Sequence, residues 1–242
     1  MFFFHLDPLY IVATLIGLAL TLWAQFRVKS AFARFAKVGV RSGMTGAEAA
    51  AAVARAGNAS GIRIERHQGF LSDHYDPRSR TLRLSPDVYD GRSVSSIAVA
   101  AHEAGHAIQH AVAYAPLGFR SAMVPIANIG NSLWQVPFVI GLSLSAGQSA
   151  AQGSSMGQTL VSLGILMFAG FVLFQLVTLP VEIDASRRAK AVLAQSGIVQ
   201  TADEARGVEK VLDAAALTYV AAALAGVLQL IALIARANQR RD

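Results

Sequence analysis

The chain has 242 residues, 54% of them hydrophobic and only 15% charged, with no cysteine and a formal net charge of +6. A mean hydropathy of +0.45 argues against an ordinary soluble domain, and zero cysteines exclude a disulfide framework, thiolate metal ligands and a cysteine nucleophile. The basic excess does not point to nucleic acid, because Lys and Arg cluster beside apolar segments, where anionic lipid headgroups are the nearer partner.

The first apolar segment runs from Leu9 to Phe26. It lacks a basic leader, and its positive charges (Arg27, Lys29, Arg34 and Lys37) follow it, so residues 1–26 are expected to be a retained anchor with an outside N-terminus. Residues 27–118 form a water-exposed unit. Thr45-Gly46-Ala47-Glu48 has the form of a capping box and opens an Ala-rich helix ending near Gly57. Ile62 to Arg66 and Leu82-Arg83-Leu84 alternate apolar and charged residues, with turn chemistry at Asp76-Pro77-Arg78-Ser79, which predicts a small β-unit. Such a strand can lend its edge to an extended substrate, or merely cover the helix that follows. Roughly ninety residues hold only a modest core, so packing on the membrane helices is expected.

Ser93 to Tyr114 contains no Pro and a single Gly, and offers Ser93, Ser95 and Ser96 as N-caps, so it reads as a helix. Within it stands His102-Glu103-Ala104-Gly105-His106. Two histidines one helical turn apart can reach one ion. Glu103, at the edge of the same face, can hold a water beside that ion and take its proton. Neutral imidazole ligands with an open position for water suit zinc best, and the chemistry implied is metal-assisted hydrolysis of a peptide bond. An accidental polar helix face is the alternative.

Residues 119–181 follow as an uncharged hairpin, since no charged residue lies between Arg120 and Glu182. Its spans are expected at about Ser121 to Leu144, where Pro125, Asn128, Asn131 and Pro137 signal a kinked or re-entrant helix, and at Leu160 to Val181. A cytoplasmic helical segment, 182–215, leads to a last span at Leu217 to Ala235 and a basic tail (216–242). Thirteen Lys and Arg lie in 27–120, five in 182–215 and none in the 145–158 loop, which places the first two segments in the cytoplasm. Arg236, Arg240 and Arg241 disagree with that sorting if four helices span; three spans plus one interfacial helix would remove the conflict.

Catalytic zinc usually takes three protein ligands. The extended motif with a third histidine fails, because Gln109 stands where Gly is required and Val112 where the last His would be. His110 lies too far along the helix and reads as a polar helix residue. Glu182, just after the third span, is the better candidate, because the hairpin returns it to the face that carries the histidines. A carboxylate paired with Arg187 or Arg188 is the alternative. Candidates to stabilise the oxyanion are Tyr219, His74, Arg187 and Arg188. Tyr219 also fits an interfacial aromatic, and the arginines fit positive-inside anchors. His5 and His67 have no companion motif.

HEAGHAIQH, preceded by Asp73 to Tyr89 and followed by LPVEIDASRRA (Leu179 to Ala189) and AAALTYVAAAL (Ala214 to Leu224), resembles the YugP-type neutral zinc metallopeptidases of bacterial membranes, over nearly the whole chain. The resemblance implies a multi-pass membrane zincin, distantly similar to HtpX and the CAAX prenyl proteases, with zinc on His102, His106 and Glu182 and with Glu103 as general base. In the wider pattern an Asp often stands four residues after the glutamate ligand and orients a histidine. Here that position is Ser186, while Asp184 stands two residues after, a tentative partner behind the ligands.

The expectation is an α-helical integral membrane protein of about four transmembrane helices with a small cytoplasmic α+β zincin-like unit, acting on protein or peptide substrates in the cell (inner) membrane. Partners are the substrate, the lipid bilayer and membrane subunits of unknown identity, with no nucleic acid. Two alternatives are an intramembrane metalloprotease with its metal helix in the bilayer and a non-catalytic membrane scaffold stabilised by zinc. Gln109, His110 and the serines at 93, 95 and 96 leave no clean apolar run for the first, and a structural site needs no Glu103.

Overall fold

The computed structural model describes residues 8–69, 72–146 and 155–238; His5 and most of the 145–158 loop lie outside them. Eight helices are seen among these residues, α1 Pro8–Phe35, α2 Gly46–Ala56, α3 Pro86–Tyr89, α4 Val94–Ala111, α5 Ala115–Leu133, α6 Gln135–Ala146, α7 Ser155–Gln195 and α8 Ala202–Asn238, with strands β1 Arg63–Arg66, β2 His74–Asp76 and β3 Thr81–Leu84. The chain divides into two compact units, one of residues 1–22, 120–177 and 220–242, the other of 23–119 and 178–219. Among the described residues, α1, α7 and α8 are long and apolar enough to cross a membrane.

In the first unit the expected span at Ser121 to Leu144 is two helices, α5 and α6, that meet at Trp134. Pro137 carries no N–H to bond Leu133, and bonds flanking the break are long, Trp134 N–H to Gly130 O at 3.3 Å and Phe138 N–H to Trp134 O at 3.4 Å. Trp134, Phe138 and Leu142 pack with Val161, Phe168, Val172 and Leu233 in one apolar cluster. Glycine allows the approach: a Cβ on Gly164 would lie 2.8 Å from Trp134 O. α1 and α8 pair antiparallel. The Arg236 guanidinium lies 5.8 Å from the Tyr10 ring centre, Thr14 Oγ1 donates to Gln229 Oε1 at 3.1 Å, and a Cβ on Gly17 would touch Ala225 Cβ at 3.1 Å.

The second unit is built on α4. Ser93 caps it, its Oγ accepting from Ser96 N–H at 3.1 Å, and the Ala-rich faces of α2 and α4 bury Ala50, Val53, Ile97 and Ala101. The capping box at Thr45 forms in both directions, with Glu48 accepting from Thr45 N–H at 2.7 Å. Leu193, Val208 and Leu212, from the parts of α7 and α8 in this unit, complete the same core, which 27–118 alone could not have filled.

The sheet has the order β1-β3-β2. Its two alternating segments are not a hairpin. β1 runs parallel to β3, and β2, antiparallel to β3 with Tyr75 opposite Leu82, makes the hairpin through the expected 76–79 turn. At three residues, β2 is too short to show a period.

Candidate metal centre

α4 and α7 each supply part of the centre. On α4 the spacing of four sets the His102 and His106 rings 4.8 Å apart and nearly perpendicular. α7 brings Glu182, 2% exposed, whose Oε2 lies 3.1 Å from His102 Nε2 and 3.4 Å from His106 Nε2. One donor atom from each residue lies within 4.8 Å of the others, so these three can hold a metal ion. The donor set is two imidazole nitrogens and one carboxylate oxygen, buried together, and it fits zinc.

The helices come this close because Gly105 has no side chain: a Cβ there would lie 2.4 Å from Ala185 O. Each imidazole is also held from behind. His102 Nδ1 is 3.0 Å from Ser186 Oγ, so the serine that replaces the expected aspartate still reaches the ring. His106 Nδ1 is 3.0 Å from Gln109 Oε1. Asp184 touches neither imidazole; it accepts from Gln109 Nε2 at 2.9 Å and from Arg187 and Arg188.

Glu103 is 8% exposed on the same helix. Among the described residues its carboxylate has no hydrogen-bond or ion-pair partner. Burial raises its pKa above the usual carboxylate range; the charges of His102 and His106 lower it, and those of Glu182 and Asp73 raise it further. Burial works the other way on His106, but the hydrogen bond and charge of Glu182 outweigh it and leave the imidazole raised. Asp73 is raised chiefly by burial, while it accepts from Ser85 N–H at 2.7 Å.

Of the remaining sequence candidates, His110, His74, Arg187 and Arg188 are engaged with other partners. His110 binds Tyr75 Oη through Nδ1 at 2.7 Å. His74 stacks edge-on against His67 with centroids 5.5 Å apart. Arg187 and Arg188 pair with Asp184, not with Glu182, and Arg188 also lies over the Tyr114 ring. Tyr219 is half-buried on α8. Sequence reasoning passed over Gln109, whose only signal was its failure to be the glycine of a longer motif, and over Gly105 and Asp73.

Comparison with known proteins agrees with the donor set. No solved structure matches the chain. The chain is 42% identical over 226 residues to "Putative membrane protease YugP" of Bacillus subtilis (strain 168), covering 93% of this chain and 95% of that protein. The family model described as "Putative neutral zinc metallopeptidase" matches residues 10–238. The chain therefore belongs to this family of neutral zinc metallopeptidases, as a membrane metalloprotease whose metal is zinc.

Proposed function

We propose that the chain hydrolyses peptide bonds as a membrane zinc endopeptidase, with His102, His106 and Glu182 as the zinc ligands, Glu103 as general base, and the site facing the cytoplasm from the cell (inner) membrane. The convergence of three buried donor atoms beside the Glu103 carboxylate, which has no hydrogen-bond or ion-pair partner among the described residues, carries this reading. Zinc, when bound, supplies a Lewis acid that brings water and a peptide carbonyl within reach of reaction at neutral pH. Glu103 takes the proton of the attacking water and passes it to the leaving amine. Its burial makes it a stronger base than a solvated carboxylate. Tyr219 is the proposed donor to the tetrahedral oxyanion, and Asp184 acts from behind the ligands. Substrates are proteins or peptides at the membrane; the Lys and Arg of 27–120 and 182–215 support the cytoplasmic orientation.

Four crossings are part of the same reading. With α1 and α8 antiparallel and both crossing, the start of α1 and the end of α8 lie on one side, so the number of crossings is even. α7 is the third, and the Pro-broken pair α5 and α6 supplies the fourth. Arg236 then needs no cytoplasm, since it is 8% exposed and its charge rests on the Tyr10 ring.

Zinc content and peptide cleavage of the purified protein test the site. Glu103→Gln is expected to keep zinc and lose cleavage by about 100-fold or more, whereas Glu182→Ala loses the metal itself. Full activity in Glu103→Gln overturns the assignment.

A further inference from the structure

Gln109 is a fully buried amide, 0% exposed, three residues beyond His106 on α4. Two acceptors face its Nε2, Val181 O at 2.8 Å and Asp184 Oδ2 at 2.9 Å. The amide therefore has one orientation, because the flipped one would set its oxygen against two others. Oε1 is left facing His106 Nδ1 at 3.0 Å, where it can only accept. Nδ1 must then carry a proton, so in the neutral imidazole that a metal binds it is Nε2, the nitrogen toward Glu182, that is left with the lone pair. Arg187 and Arg188 hold Asp184 in turn.

We propose that Gln109 is a positioning residue that locks His106 in the tautomer a metal requires, and that Asp184 fixes the Gln109 amide. The inference rests on the reading of His106 as a zinc ligand. The two histidines are then held unequally: the Ser186 hydroxyl behind His102 can turn to donate or accept, whereas the Gln109 amide cannot.

The test uses the zinc-loaded full chain in lipid nanodiscs with ¹⁵N-labelled histidine. Gln109→Met keeps the side-chain length and removes the hydrogen bonds. It is expected to weaken zinc affinity, read by chelator competition, about 10- to 100-fold. The His106 Nδ1–H resonance should also exchange faster with water, with that of His102 unchanged, a selectivity that general loss of packing would not give. Gln109→Glu keeps an acceptor toward His106, and its second oxygen, set between Val181 O and Asp184 Oδ2, takes up a proton and donates there in place of Nε2, so that resonance is expected to stay protected. Unchanged affinity and exchange in Gln109→Met, or protection lost as fully in Gln109→Glu, overturns the proposal; if Gln109→Met does not fold, Gln109→Glu decides alone. Wild-type protein that takes up no zinc, or His106→Ala that still does, sinks the ligand assignment instead.

Discussion

Gly105 shows how much one missing methyl group can decide. Alanine is the better helix former by about 1 kcal/mol, yet its Cβ would stand 2.4 Å from Ala185 O, a backbone atom that cannot swing aside. Gly105→Ala is expected to destabilise the protein by about 1–3 kcal/mol through overpacking and to weaken zinc binding, since Glu182 sits three residues before Ala185. Denaturation midpoints in detergent and zinc titration check this; an unchanged midpoint and affinity would mean that the helices part freely. The approach of His102 to His106 was legible in the sequence, because four-residue spacing is a property of one helix, and Glu182 was expected beside them only from the return of the hairpin. Gln109 was not legible, since its meaning depends on Val181 and Asp184, 72 and 75 residues away, and no local period reports such a contact.

Among the elements, those with short-range signatures were the readable ones. The capping box at Thr45 and the Ser93 cap fixed where α2 and α4 begin. β2 escaped because three residues carry no alternation, and the break at Trp134 was readable only as prolines that weaken a helix. α4 and α7 meet at the donor atoms, so a shared ion would join them more firmly than their packing alone. Zinc present at 100 times its dissociation constant adds about 2.7 kcal/mol to stability. Stripping it with a chelator is expected to lower the melting temperature of the wild type and leave that of Glu182→Ala unmoved. A wild type equally indifferent to chelator would speak against a metal bridge between the two helices.

At the scale of the whole molecule, composition alone marked a membrane protein, and the three long apolar helices agree with it. What composition could not reveal was that one core gathers residues from α2 and α4 together with Leu193, Val208 and Leu212, more than eighty positions later in the chain. Charge counting also weighed Arg236 by its sign alone, whereas it is buried with its guanidinium over the Tyr10 ring. The contact of that arginine with Tyr10 has a practical corollary. Two halves of a split fluorescent protein, fused one to each end of a single chain, should find each other and light up within that molecule, and halves carried on separate chains should need crowding to do so; darkness in the doubly fused chain would part the first helix from the last.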